Sequence, residues 1–539
     1  MPEFNRNQRR AVLIVSCLSL FMIGLDDTIV SIALPTIARG FNASVSGLQW
    51  IFDSYTVVLA SLLILGGATA DRFGRRRVFQ VGLAVFTASS ALCSLAPGLG
   101  WLIAFRVLQA VGGSMLTPVA VSMISSFYTD RTQRARAIGV WAGMFGLGMA
   151  LGPTIGGLLV SAAGWQGVFW VNIPVGLGAI ALTSRFVPES RIPAPRRLDP
   201  VAHALVIVML GSLVYAIIEG AYTHWHAAAT QAQFTVAALT LAALAVWELR
   251  RQDPLIDLHY FRSRSFTAAV LIAVFAFADM GGFLFLSSIY LQDTRGSSAI
   301  HAGLDMLPTA AAMALCPSLA AWVTAKVGSA RPTLLFGGLA LMLGTYAMSR
   351  FTADSSDTYL WVTFGVFGVG MGMLNGQITV AAVSGMPASH AGLASGIASA
   401  SRQVGQTLGV AITGSLLTTA ADGRRQPASA MASHPAWHLL FWWAFAVVIF
   451  GLLTSRAPAR HRKARSPLYR RYLPRRTSPP LPYVPPQPAA PAALAASPQS
   501  LWVPRVTRKT GSPGGLGPGQ AFPGDPAEWQ PPPSAFSRP

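Results

Sequence analysis

An all-α, polytopic membrane protein with fourteen transmembrane helices is the architecture this sequence predicts, on three observations. Its 539 residues are 52% hydrophobic and 11% charged, with a mean hydropathy of +0.49, whereas soluble domains carry about 25% charged residues. Apolar runs of roughly 18 residues or more recur along the chain, each able to cross ~30 Å of hydrocarbon as a helix. Arginines crowd the connections on one side of these runs and are sparse on the other, the pattern that orients membrane proteins.

The spans are expected at 11–34, 48–70, 78–96, 100–125, 135–160, 166–187, 200–220, 232–249, 266–291, 302–325, 332–350, 359–385, 391–418 and 437–455. The first follows Arg6, Arg9 and Arg10. It contains acids and no small-residue cleavage site, so it is expected to be retained rather than removed as a signal peptide. The second span leads to Arg72, Arg75, Arg76 and Arg77, and the fourth to Arg131, Arg134 and Arg136. The sixth leads to Arg191, Arg196 and Arg197, and the eighth to Arg250, Arg251, Arg262 and Arg264. The opposite connections hold little beyond Arg39, Arg295, Arg350, Arg424 and Arg425. An even count with this bias places both termini in the cytoplasm. Arginines outnumber lysines 37 to 3, which points to a GC-rich bacterial genome and so to a bacterial inner membrane. Glycine-rich stretches such as GGSM (112–115), GLGMALGPTIGG (146–157) and GVFGVGMGMLNG (365–376) suit close helix packing.

Longer polar connections isolate the seventh and eighth spans. The expected division is a six-helix bundle at 1–190, two inserted helices at 191–262, a second six-helix bundle at 263–455 and a disordered tail at 456–539. Paired halves around a midplane site are a common plan for secondary transporters.

Several function classes drop out. Of the net charge of +20, the tail carries 13 basic and 2 acidic residues, and much of the rest lies in short loops, so the basicity reflects topology and tail rather than nucleic-acid binding. Cys17, Cys93 and Cys316 are an odd number inside apolar runs and have no metal or disulfide spacing. None of Lys326, Lys463 and Lys509 completes a phosphate-cradling loop. No metal site, no cofactor, no enzymatic activity and no ATPase site of its own are expected, so transport would draw on an ion gradient or on a partner chain. The tail's PPLPYVPPQP (479–488) would suit a polyproline-binding partner.

The chemistry-bearing stretches occur in a fixed order: LDDTIVSIALP (25–35), GATADRFGRRRV (67–78), RVLQAVGGS (106–114), GMALGPTIGGLL (148–159), GWQGVFWVNIPVG (164–176) and AGLASGIASASRQVGQTLGVA (391–411). Together they resemble the major facilitator superfamily, and within it the fourteen-helix drug/proton antiporter branch, over about residues 8–455. The chain departs from that pattern at Ser31, Ala110, Gln166 and Gly167. The resemblance implies proton-coupled transport with Asp26 and Arg106 in proton transfer. It also implies a conformational latch formed by Gly67, Asp71, Arg72, Gly74, Arg75 and Asp130. Asp71 would cap a helix across the two halves near Ala391, and Arg75 would pair with Asp130. Gly148, Gly152, Pro153, Gly156 and Gly157 match the antiporter motif of the fifth span, and Arg402 and Gln403 belong to that of the thirteenth.

Residue physics adds an independent argument. An ionised carboxylate costs about 2.5–3.5 kcal/mol at a bilayer centre on insertion scales, yet Asp26 and Asp27 sit side by side in an apolar run. Neighbours on a helix point ~100° apart, so one cavity cannot easily receive both. The resemblance places its acid at Asp26, so Asp26 is expected to face the transport path and Asp27 to lie toward a helix interface or to be kept neutral. Desolvation favours a neutral carboxyl and a nearby cation favours the ionised form, so such an acid can exchange a proton for a cationic substrate. Gln109 should share the face of Arg106. Asp27, Gln109, Trp50, Tyr55, Asp279 and Asn375 are the remaining candidates for substrate contact. Residue physics gives an acid-coupled transporter and the resemblance implies the drug class, so the expected function is proton-coupled export of hydrophobic, cationic drugs or antibiotics from a bacterial cytoplasm. The alternatives are export of an endogenous metabolite, lipid or siderophore, and a non-transporting scaffold acting through the tail.

Overall fold

The computed structural model describes residues 6–454 apart from 129, 191–198, 224, 252–257, 385, 387–390 and 421–429. The expected tail at 456–539 and its polyproline partner lie outside the described residues, as do Arg191, Arg196, Arg197, Arg424 and Arg425. Within the described residues the regular structure is helical: α1 (Arg6–Phe41), α2 (Val45–Phe73), α3 (Arg75–Ser94), α4 (Leu99–Phe127) and α5 (Arg131–Ala163). A short α6 (Gly167–Trp170) leads into α7 (Asn172–Phe186), followed by α8 (Pro200–Thr223) and α9 (Ala228–Arg250). The chain continues through α10 (Arg264–Ile289), α11 (Ala299–Asp305), α12 (Leu307–Val327), α13 (Arg331–Met348), α14 (Asp357–Val383), α15 (Ala391–Ala420) and α16 (Ala430–Leu453). Helices dominate because a backbone inside lipid must satisfy its own hydrogen bonds. Side-chain oxygens cap several of them, including Ser44 on the Gly47 amide for α2 and Asp130 on the Gln133 amide for α5.

Among the described residues eleven helices are long and apolar enough to cross a membrane, or twelve if the bent pair Val45–Leu63 and Leu65–Phe73 is one span. Fourteen were expected, and α13 and α15 fall short. The first is 18 residues long and begins on Arg331 and Pro332. The second is rich in Ser, Gly, Gln and Thr and packs against α2, α8, α10, α14 and α16. Its composition answers to protein neighbours rather than to lipid.

Helices α1–α7 pack chiefly on one another, with α1 along α5 and α4 against α2 and α3. Helices α10–α16 form a second set around α10, α14 and α15. The inserted α8 lies against α2 and α15, and α9 lies against α8. The two sets meet firmly at the end where α1 finishes and α2 starts. There Gln49 Nε2 donates to Ala411 O at 2.7 Å and Val410 O at 3.3 Å. Gln292 Nε2 donates to Ile32 O at 2.9 Å, and Thr154 Oγ1 to Gly303 O at 3.1 Å. Thr407 Oγ1 donates to Thr56 Oγ1 nearer the middle, at 2.7 Å. Towards the opposite end, Gly139 and Gly143 of α5, Gly376 of α14 and Gly396 of α15 have no atom within 4 Å of where a side chain would begin.

Candidate functional site

Asp26 is fully buried among the N-terminal helices, with a complete set of donors. Arg106 Nη1 of α4 reaches its Oδ2 at 2.6 Å, while Gln109 Nε2 and Asn172 Nδ2 each donate to its Oδ1 at 2.9 Å. Arg106 also donates to Gln109 Oε1 at 2.9 Å and lies over the Tyr55 ring at 4.1 Å. Asn172, at the start of α7, is itself shared with the Ser90 hydroxyl at 3.1 Å. Helices α1, α2, α3, α4 and α7 therefore converge on one carboxylate.

Asp27 points elsewhere. Both of its oxygens are buried without a hydrogen bond. Gln403 and Gln406 of α15, in the other set of helices, face it, and both Gln406 amide atoms and Gln403 Oε1 are likewise unpartnered. The first acid is enclosed within its own half, and the second meets the interface between halves. Spacing established that the two diverge, but the partner that decides which goes where, Asn172, is 146 residues away from Asp26.

The other tentative substrate contacts are dispersed, apart from Gln109, which shares the face of Arg106 as expected. Tyr55 stacks on Arg106, and Gln109 completes the Asp26 network. Trp50 donates from Nε1 to Glu219 Oε1 of α8 at 3.0 Å and lies 6.0 Å from the Tyr215 ring, in the seam with the inserted helix. Asp279 is fully buried and makes no hydrogen bond. One turn along its side of α10, Gly282 meets Leu440 of α16, and Phe283 stacks on Phe367 of α14 at 4.2 Å. Asp279 thus belongs to the C-terminal set of helices. Asn375 is half-buried on α14. Asp53 of α2, buried and unpartnered, lies between Gln49 and Thr56, whose side chains bond to α15.

The turn between α2 and α3 also differs from its expected arrangement. Arg75 pairs with Asp71, four residues back, at 3.1 Å and donates to Ser122 O and the Ser126 hydroxyl of α4. Asp130 instead caps α5 through the Gln133 amide at 2.8 Å, so the expected Arg75–Asp130 pair is absent. Arg72 is exposed over the Phe73 ring, and Gly67 packs on Pro118 of α4. The immediate surroundings of Ala391, the expected partner of Asp71, lie outside the described residues. Sequence reasoning passed over Glu189. Its carboxylate accepts from the Arg76 and Arg77 amides at 3.0 and 3.3 Å, placing negative charge at the start of α3, where the helix dipole favours it. Gly74, at φ +108° and 2.7 Å from Glu189 at its would-be Cβ, leaves no room for another residue.

The glycines of α5 bring backbones together. A side chain at Gly148 would run into Phe21 O of α1, one at Gly152 into Thr28, and one at Gly156 into Ile29. Gly157 and Pro153 meet α11 of the other half at Ala299 and Gly303.

The family model of the Major Facilitator Superfamily matches residues 16–410. The chain belongs to the major facilitator superfamily. Among relatives, Multidrug resistance protein Stp of Mycobacterium tuberculosis is 37% identical over 424 residues, covering 78% of each chain. Tetracenomycin C resistance and export protein of Streptomyces glaucescens is 34% identical over 411 residues, covering 76% of each. A bacterial homologue of the human lysosomal transporter Spinster shares the fold at a TM-score of 0.58 and 19% identity, covering 83% of this chain and 96% of its own. This superfamily member is accordingly a multi-span membrane transporter for small molecules and not an enzyme. Within its superfamily fold, the residues that sequence reasoning missed (Asn172, Ser90, Glu189 and Gln406) share one property. Each acts through a helix distant in sequence, and none is charged and intramembrane, which was the signal that singled out Asp26 and Arg106.

Proposed function

We propose that the protein is a proton-coupled antiporter of the fourteen-helix drug branch, exporting hydrophobic, cationic drugs or antibiotics from the bacterial cytoplasm. In this reading α13 and α15 join the twelve candidate spans. The chain divides at residues 1–190, 191–262 and 263–455, and both termini are cytoplasmic in a bacterial inner membrane. The seam formed by Gln49, Gln292 and Thr154 then closes the outer side, leaving the site accessible from inside.

One observation carries the reading: consecutive carboxylates are split between the two halves. Asp26 is held by Arg106 inside the N-terminal set, and Asp27 is presented, unpartnered, to α15. A proton arriving on Asp26 Oδ2 removes the charge that holds Arg106. Because α1 carries both acids, the resulting shift reaches Asp27, where a substrate cation would sit. Proton and cation thereby compete for the carboxylates of one helix. The names of relatives that confer antibiotic resistance support the drug class, and the relative named for resistance and export favours an endogenous antibiotic as the second reading.

Everted membrane vesicles energised by an imposed pH gradient test the proposal with a cationic dye. Wild type is expected to accumulate the dye until an uncoupler is added, and Asp26→Asn and Asp27→Asn to lose that response. Undiminished pumping by Asp26→Asn would remove it from the coupling step, and dye movement indifferent to the uncoupler would make the protein a facilitator.

A further inference from the structure

The C-terminal helices hold a cation that the Asp26 network does not use. Arg402 lies eleven residues into α15, about 16 Å from its start at 1.5 Å per residue. Its Nη1 donates to Thr379 Oγ1 of α14 at 3.1 Å, and its Nη2 to Ser399 Oγ at 2.9 Å. The guanidinium lies 5.8 Å from the centre of the Phe277 ring of α10. Among the described residues no carboxylate pairs with it, in contrast to Arg106 and Asp26. Intramembrane arginines normally pair with an acid or face a water-filled cavity. Two neutral hydroxyls direct this guanidinium but leave its charge uncompensated and three of its five donors available. Asn375 lies one turn from Thr379 on the same side of α14, and the neighbouring Gly376 and Gly396 have nothing within 4 Å of a would-be side chain. The corner opens on free space.

We propose that this corner of α10, α14 and α15 binds the carboxylate of an amphipathic substrate. Arg402 is the anion contact, Thr379 and Ser399 fix its direction, and Asn375 supplies a further polar group. The inference rests on the export reading and deepens it. Asp27 takes a cationic end and Arg402 an anionic one, so zwitterionic amphiphiles belong to the substrate class alongside simple cations. Arg402 and Gln403 are adjacent on α15, so the anion contact and the amide facing Asp27 sit on neighbouring faces of one helix.

Rhodamine B and its ethyl ester provide the probe, since they share a cationic ring system and differ in whether the carboxylate is free. Binding to the purified full-length protein in lipid nanodiscs is followed by fluorescence anisotropy. Arg402→Gln is expected to weaken rhodamine B binding by roughly tenfold or more, as for loss of a charged hydrogen-bond partner, while changing ester binding less than about twofold. Retained ester binding also shows that the variant is folded. Equal weakening of both dyes, rhodamine B binding unaltered by Arg402→Gln, or no rhodamine B binding by wild type overturns the proposal. Proton-driven efflux of the ester by wild type is measured in parallel. Its absence counts against the export reading, whereas its presence without carboxylate preference counts against this inference alone.

Discussion

Breaking the Asp26–Arg106 pair from either side should cost much more than removing it whole. Both side chains are at most 1% exposed, and the pair closes at 2.6 Å. In Asp26→Asn one oxygen becomes an amide nitrogen. Either that nitrogen faces Arg106 Nη1, or it faces the amides of Gln109 and Asn172 that now donate to Oδ1. Each orientation sets donor against donor and leaves the guanidinium charge uncompensated, a loss of about 3–5 kcal/mol for a buried pair deprived of one partner. Arg106→Gln leaves the carboxylate with two neutral donors and a similar deficit. With both changes the cluster becomes a neutral amide network, and the cost falls towards the ~1–2 kcal/mol of one or two lost hydrogen bonds. The double-mutant cycle should therefore show coupling of at least ~4 kcal/mol. Reversible unfolding in lipid–detergent micelles measures it, with vesicle efflux as the second readout. The double variant is expected to recover stability without recovering proton-driven transport, because neither amide can carry the proton. Additivity of the two single changes to within ~0.5 kcal/mol would refute the claim that these charges hold each other.

Three further outcomes follow from named contacts. Gly148→Ala drives a methyl into the Phe21 carbonyl of α1, whereas Gly139→Ala meets open space; unfolding measurements should show a loss of about 1–3 kcal/mol for the first and little for the second. Gln49→Ala removes the bonds to Val410 and Ala411, so spin labels at the ends of α2 and α15 should report a larger open population, by roughly fivefold or more. Asp199, just before α8, is buried, which opposes its charge, but the Ala202 amide, Trp247 Nε1 and Arg251 outweigh this and hold its carboxyl below the usual range. A depressed value means the stabilisation is present above the unfolded-state value and is lost as pH falls through the folded one. The stability gap between wild type and Asp199→Asn should thus be about 1 kcal/mol at neutral pH and close below about pH 4.

Hydropathy located the helices because lipid contact is written into composition, and its signal is weakest where that contact is missing. Helix α15 is the clearest case, since its neighbours are other helices and its polar, glycine-rich face reflects them. Helix α1 runs from Arg6 to Phe41 against an expected 11–34, because its polar ends extend past any hydrocarbon. Site residues were legible when they broke a rule inside a span, as a charge in an apolar run does. Their pairing was not, since Asp26 meets Asn172 and Arg75 meets Ser126 only once helices distant in sequence pack together. Glu189 was hidden because a short polar segment after a span looks like any linker, although its carboxylate caps α3.

The distribution of bond strengths bears on which parts can move. Within the N-terminal helices the charged pair and its amides tie α1 to α4 and α7. Between the halves the outer seam rests on Gln49, Gln292 and Thr154 donating to backbone carbonyls. Neutral bonds of that kind are worth about 0.5–1.5 kcal/mol each, so the four at the seam supply about 2–6 kcal/mol. Reversing a two-state population from 1:99 to 99:1 requires about 5.5 kcal/mol, and a proton crossing 100 mV releases ~2.3 kcal/mol. One or two protons, worth ~2.3–4.6 kcal/mol, are therefore commensurate with opening the seam, and a proton on Asp26 would act by cancelling the charge that holds Arg106. The halves can part while each keeps its own core, and the helix that must register both events is α1, which carries one acid in the strong network and the next in the weak interface.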